Sequence, residues 1–202
     1  MERIENWESI EAKGVSDFVR LPAGGYVCYI VNAVEHTNDM TGNKSLKVLV
    51  DIAGNDKQKG FFKNQYENNT MSEAKWPSGA TKYLSLKKES LAYTKGFIKA
   101  LENSNNGFKF STSKGWEQIN GLKCAGVFGW EEYEDNEGKT KVATKLIQFR
   151  SLDKLKEITI PKVKMLDGNF VDYDDYNEFY KNKKQDDPFK DVVEISDDDM
   201  PF

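Results

Sequence analysis

Lysines alternate with aromatic side chains between residues 57 and 66, a pattern suited to holding an anionic chain that carries stackable rings. Lys57, Lys59 and Lys63 surround Phe61 and Tyr66. Lysine ammonium groups attract phosphates, and unpaired bases stack on aromatic faces, each stack contributing about 1–3 kcal/mol. The stretch therefore predicts sequence-tolerant binding of a single-stranded nucleic acid.

A second group of lysines belongs to the last predicted strand. Lys139, Lys141 and Lys145 share one face of that strand, opposite Val142 and Leu146. The structural alternative is that these lysines only form a solvated face, because lysines on edge strands also protect a sheet from pairing with other chains. The candidate single-strand-binding set takes both lysine groups with Phe61 and Tyr66, and adds the isolated aromatics Trp76, Tyr83 and Trp130.

The isolated aromatics have structural alternatives that the sequence leaves open. Trp76 lies in a polar loop and either contacts nucleic acid or packs over a sheet edge. Trp130 shares the strand parity of Phe128, which the apolar alternation places in the core. Phe62 is expected to be buried and Phe61 to face outward, because they alternate within a predicted strand.

The elements that must position these residues are mainly strands. Leu46, Val48, Val50 and Ile52 alternate with polar positions, as in a half-buried strand. The full set of predicted elements is strands over 26–34, 46–52, 59–66, near 83–86, 121–133 and 139–149, with one helix over 88–103.

Leaving aside the short segment near 83–86, the order strand, strand, strand, helix, strand, strand predicts a mainly β fold, an OB-fold-like five-stranded Greek-key barrel with one helix between strands three and four. The predicted domain covers residues 1–166, and residues 1–20 form an N-terminal arm or helix. The loop segment 67–81 is an insertion that this fold does not explain.

The charge of the chain divides at about residue 167. Residues 1–166 carry 25 Lys and Arg against 21 Asp and Glu, whereas residues 167–202 carry 4 against 12. The second segment has too little aliphatic content to form a core of its own. We therefore expect a mildly basic body followed by a flexible acidic tail, 167–202.

The last six residues present charge, a stiff backbone and an aromatic ring together: Asp197, Asp198, Asp199, Met200, Pro201 and Phe202. Proline fixes its own φ and keeps the preceding residue extended. The ending resembles the acidic tip of bacterial and bacteriophage single-stranded DNA-binding proteins, most closely a divergent phage type. That resemblance implies a protein that protects single-stranded DNA and recruits replication, recombination and repair proteins through the tip.

Other functional classes find less support in the sequence. It contains no phosphate loop, no HExxH and no paired nucleophile and base, so we expect no enzyme, no cofactor and no metal site. Cys28 and Cys124 lie in apolar stretches and are expected to be buried, reduced thiols. With neither a signal peptide nor an apolar run of membrane length, a cytoplasmic location is expected, in the host if the protein is phage-encoded.

An interaction adaptor is the alternative function, in which the tip captures partners and the body binds no DNA. The sequence leaves the oligomeric state open, a homo-oligomer included.

Overall fold

The centre of the molecule is one sheet of seven strands, and the fold is mainly β. The computed structural model describes residues 20–69 and 72–185. The strand order is β3-β2-β1-β4-β6-β7, and β5 pairs with the edge of β4 opposite β1. The strands are β1 (Gly24–Thr37), β2 (Lys44–Ile52), β3 (Thr81–Ser85), β4 (Lys123–Glu134), β5 (Thr140–Arg150), β6 (Val163–Lys164) and β7 (Phe170–Val171).

Three α-helices accompany the sheet: α1 (Phe61–Glu67), α2 (Leu91–Ser104) and α3 (Tyr173–Gln185). The predicted helix over 88–103 corresponds to α2, which a 3₁₀ turn at Lys88–Ser90 precedes. The predicted hairpin corresponds to β4 and β5. Neither α1 nor α3 was predicted.

The core lies on one face of the strands. Leu46, Val48 and Val50 are fully buried, which confirms the alternation predicted for β2. Phe128 is also buried, as predicted, and stacks on Phe62 of α1 with ring centroids 5.4 Å apart. Successive side chains of a strand point to opposite faces, so Ser45, Lys47 and Leu49 lie partly exposed on the other side of β2, whereas Asp51 on that side is buried.

The strand predicted over residues 59–66 is wrong, because this segment forms α1. Gly60 adopts a left-handed backbone, with φ 68°, and turns the chain into the helix. The N–H of Phe62 then donates to Oδ1 of the buried Asp51 at 3.0 Å. Lys63 pairs with Glu67 one turn later, at 3.6 Å. Alternating residue types suggested a strand, but a left-handed glycine and a buried acceptor select a helix.

The packed body extends further along the chain than the expected boundary at residue 167. β7 and α3 lie beyond it, and Tyr176 of α3 is buried. The Tyr176 hydroxyl donates to Glu132 Oε1 at 2.6 Å, and the N–H of Leu166 donates to Glu132 Oε2 at 3.2 Å. Aromatic side chains attach this segment to β4, which its acidic composition concealed. We call residues 163–179 the strap.

The sheet is not closed. In the described residues, β3 pairs with β2 and β5 pairs with β4, so each strand keeps one free edge. The two edges approach through the 3₁₀ turn Ser78–Ala80, where a Cβ on Gly79 would lie 2.6 Å from the Thr144 carbonyl oxygen. Glycine is therefore required for this close approach. We call this gap between β3 and β5 the seam.

The two cysteines are free and buried, as predicted. Cys28 of β1 and Cys124 of β4 lie directly opposite each other in the register. Burial raises the pKa of Cys124 to about 12 and raises the pKa of Cys28 well above its ordinary value. Because the thiolate is the reactive form, both side chains are inert apolar groups of the core.

Candidate nucleic-acid interface

A groove of about 1150 Å³ crosses the strands on the face opposite the core. We call it the sheet groove. It spans four hydrogen-bonded strand steps, β1 to β2, β2 to β3, β5 to β4 and β4 to β6, and also the seam. At about 4.8 Å a step it is at least about 19 Å long. The strand residues that line it include Asn32, Lys47, Leu49, Thr81, Tyr83, Lys145 and Glu131.

Four of the predicted site residues meet in this groove: Tyr66, Trp76, Tyr83 and Lys145. They come from α1, from the loop before β3, from β3 and from β5. The fold therefore gathers an aromatic set and a cation that are up to 79 residues apart in the chain.

Tyr66 and Trp76 form one wall of the groove. Their ring centroids are 5.5 Å apart with the planes tilted by 39°, and Trp76 donates its Nε1 hydrogen to the Val50 carbonyl at 3.1 Å. That bond fixes the indole against β2, and Asp51 fixes the start of the helix that carries Tyr66. The wall is thus built before any ligand arrives, and Tyr66 remains 39% exposed.

Tyr83 lies on β3 and is 49% exposed. In the register it faces Lys47 of β2, so a ring and an ammonium group are neighbours on the same face. It also contacts the ring of His36 of β1, with centroids 5.2 Å apart. Tyr83 therefore presents its ring where a base could stack beside a phosphate.

A second pocket of about 570 Å³ shares Tyr83 with the sheet groove and lies at the end of β2 and β3. Lys44, Lys87 and His36 line it together with several hydroxyl and amide side chains, and its described lining contains no carboxylate. Its lining thus offers donors for an anion next to the groove.

The groove lysines differ in their ion pairs. Lys164 of β6 is held by Glu131 at 2.6 Å. Lys47, Lys75 and Lys145 make no ion pair with any described residue. These three positive charges are therefore available to an anionic ligand.

Lys82 also borders the groove, but its side chain belongs to the other face. It faces Val48 in the register, and Val48 is in the core. Burial lowers the pKa of Lys82, since a buried ammonium loses its hydration. We therefore do not count Lys82 among the cations that face the groove.

The remaining predicted site residues lie outside the groove lining: Lys57, Lys59, Phe61, Lys63, Trp130, Lys139 and Lys141. Phe61 is half-buried against Phe62, with an edge contact at 5.1 Å, instead of facing outward on a strand. Lys139 pairs with Glu137 at 2.8 Å, and Lys141 pairs with Asp135 at 2.6 Å. The hairpin lysines are therefore already neutralised by the acids of their own turn.

Trp130 supports the fold and offers no open ring face. It is 7% exposed and donates its Nε1 hydrogen to the Leu21 carbonyl at 2.8 Å. Tyr173 of the strap covers it edge-on with centroids 4.8 Å apart. The parity with Phe128, noted from the sequence as the alternative, corresponds to this buried position.

Sequence reasoning missed two of the groove lysines, Lys47 and Lys75. Lys47 had a usable signal, because it alternates with the apolar residues of β2 and so faces outward. Lys75 had none, because it belongs to a loop whose path depends on how Trp76 packs.

The acids of the β4–β5 hairpin are engaged by their neighbours. Lys141 donates to Asp135, and so does the backbone N–H of Lys139, and together they lower the pKa of Asp135 to about 2. In the described part of the chain, no group of three His, Cys, Asp or Glu side chains is placed to hold a metal ion.

No protein-family model matches the chain, and no curated protein matches it. The helices within residues 20–69 and 72–185 include none with the length and apolar character needed to cross a membrane. The tip at 197–202 and the arm at 1–19 lie outside the described residues.

Proposed function

We propose that the chain binds single-stranded DNA without base specificity, in the sheet groove. The observation that carries the proposal is the convergence of Tyr66, Trp76 and Tyr83 with three lysines that form no ion pair with a described residue, on one solvent-facing side of the sheet. Stacking on aromatic rings does not depend on base identity, and lysines follow phosphates, so this combination selects a flexible single strand.

The groove is a poor fit for a double helix. Bases inside a duplex are stacked on one another and offer no free faces to Tyr83 or to the Tyr66–Trp76 wall. Duplex binding would rest on the lysines alone, so it should be weaker, and a larger share of its binding free energy should depend on salt. Preference for single strands is therefore part of the proposal.

The strand order supports an OB-fold-like body. β1 pairs with β2 and β4, β2 pairs with β3, β4 pairs with β5, and α2 lies between β3 and β4. This is the connectivity of the OB-fold with the pairing of β3 to β5 left open, and such folds bind oligonucleotides across strands two and three. We propose a divergent, open member of this architecture, with α1 and the strap as additions.

In the proposed path, the DNA strand enters between the Tyr66–Trp76 wall and Tyr83, with phosphates toward Lys47, Lys75 and Lys145. Beyond Tyr83 it passes into the second pocket, toward Lys44 and Lys87. The described lining of the second pocket contains no carboxylate, whereas Glu131 lies at the opposite end of the groove. The strand is therefore drawn toward the second pocket.

The tip from Asp197 to Phe202 belongs to the same proposal, on the strength of its sequence. It would dock replication, recombination or repair proteins, with Phe202 in an apolar pocket and the aspartates on a basic rim. A chain lacking Phe202 should bind DNA normally and lose recruitment of such a partner. A cytoplasmic location fits this role, in the host if the protein is phage-encoded.

Fluorescence anisotropy of a labelled oligothymidine of about 20 nucleotides tests the proposal, since OB-folds cover about 4–16 nucleotides each. Affinity should fall as salt rises, by about 0.7 in log K per log salt for each phosphate neutralised. A Lys47→Gln, Lys75→Gln, Lys145→Gln triple variant should flatten that slope by about 2.

The matched control is Lys59→Gln, Lys63→Gln, Lys139→Gln, which removes the same charge at residues outside the groove. Its slope should equal that of the natural chain. Absence of oligothymidine binding at low salt would sink the proposal and leave the adaptor. Equal slopes for the two triple variants would move the interface away from the sheet groove.

A further inference from the structure

Glu131 is the carboxylate of the sheet groove: among the described residues that line it, all other charged side chains are lysines. It lies on β4 directly opposite Lys164 of β6 in the register, and the Lys164 Nζ is 2.6 Å from Glu131 Oε1. The Glu131 side chain is 33% exposed and that of Lys164 is 51% exposed. The pair is therefore within reach of a ligand in the groove.

The position of Glu131 places it next on the path from Lys145. Lys145 of β5 faces Gly129, and Glu131 follows two residues along β4, on the same side of the strand. Ile147, which also lines the groove, covers the space above Gly129, where an added Cβ would lie 2.5 Å from Ile147 Cδ1. A phosphate that leaves Lys145 toward β6 therefore meets a carboxylate and a lysine already bound to it.

We propose that Glu131 is a built-in competitor of the DNA phosphates, which holds Lys164 out of the interface and limits the affinity of the groove. This inference rests on the proposed function, because it assigns a role within the same site. Lys164 contributes no net attraction while Glu131 neutralises it. The bound DNA strand therefore dissociates faster than it would if Lys164 were a fourth lysine available to the phosphates. The DNA path ends at this side of the groove.

The strap does not depend on this ion pair for its attachment. Glu132, the next residue, accepts hydrogen bonds from the Leu166 N–H and the Tyr176 hydroxyl. Val163, beside Lys164, is fully buried. A Glu131→Gln substitution therefore removes a charge from the groove and leaves the strap in place.

The test compares Glu131→Gln with Asp172→Asn in oligothymidine titrations of the full chain over a range of salt. Asp172 of the strap also pairs with a lysine, Lys162, at 3.3 Å, but neither residue lines the groove. Both variants raise the net charge by one, so a general charge effect acts on both. Only Glu131→Gln should steepen the salt slope, by about 0.7, which corresponds to roughly fivefold tighter binding at 0.1 M salt and convergence near 1 M.

A double variant, Glu131→Gln with Lys164→Gln, identifies the lysine that is released. Its salt slope should return to that of the natural chain, because neither the competitor nor the freed cation remains. A gain that persists in the double variant overturns the inference, as does equal behaviour of Glu131→Gln and Asp172→Asn. If the natural chain binds no oligothymidine, the proposed function itself fails, so the two failures are distinguishable.

Discussion

Trp76→Ala should weaken both the fold and DNA binding, and the two effects can be separated. The indole is half-buried and its Nε1 hydrogen reaches the Val50 carbonyl at 3.1 Å. Truncating a fully buried tryptophan costs about 3–5 kcal/mol, so half-burial places the loss in the free energy of unfolding at about 2 kcal/mol. Loss of one stacked base costs a further 1–3 kcal/mol of binding, or roughly a 5- to 160-fold rise in Kd.

Trp116→Ala provides the matched comparison. Trp116 is also half-buried, packs on Phe110 with centroids 5.2 Å apart, and donates its Nε1 hydrogen to Glu35 at 3.1 Å, outside the groove. Urea unfolding should report a similar loss of stability for both variants, whereas oligothymidine anisotropy should report weaker binding for Trp76→Ala alone. If both variants bind as the natural chain does, Trp76 only packs over the sheet and the stacking argument is refuted.

Four other substitutions test the packing at the seam and in α2, the start of α1 and the ion pair of the β4–β5 hairpin. Gly79→Ala should lower the free energy of unfolding by about 1–3 kcal/mol through overpacking at the seam, whereas Gly96→Ala, in the open middle of α2, should raise it by about 1 kcal/mol; urea unfolding that ranks them the other way would contradict the seam contact. Asp51→Ala should leave the buried N–H that starts α1 without its acceptor, cost about 1–3 kcal/mol and also weaken oligothymidine binding; unchanged binding would separate α1 from the site. Lys141→Gln should raise the pKa of Asp135 from about 2 toward its ordinary 3.8, as followed by NMR of the carboxyl carbon. Because that pKa is depressed in the folded chain, its stabilising effect should be complete above about pH 4 and disappear as the pH falls through 2.

The sequence predicted strands at β1 to β5, and β2 was the clearest because its residues alternate with a period of two, whereas β6 and β7, of two residues each, were not predicted. This alternation predicts that Val48 and Val50 are buried. The same reasoning places Lys47 on the opposite face, so it could have been assigned to the site. The segment from Gly60 to Tyr66 could not be predicted in this way. Its helix depends on Asp51, which is 11 residues away in the sequence and meets the start of α1 only in the folded structure.

Part of the candidate site could be predicted for a related reason. Tyr83 and Lys145 follow strand parity, so their exposure is a local property. Trp130 follows the same parity into a buried position, and the strap residue Tyr173 that covers it comes from a segment whose acidic composition suggested no packing. Contacts made by distant segments decide which aromatic rings remain open, and composition does not encode them.

At the seam the edges of β3 and β5 face each other, and in the described part of the chain no further strand pairs with the backbone amides along them. A DNA strand bound in the groove would contact both β3 and β5 and so restrain them from moving apart at the seam. Amide hydrogen exchange measures such local opening residue by residue. Exchange at Thr81–Ser85 and at Thr140–Arg150 should therefore slow together on loading, which makes these two strands an occupancy reporter that requires neither a fluorophore nor a substitution.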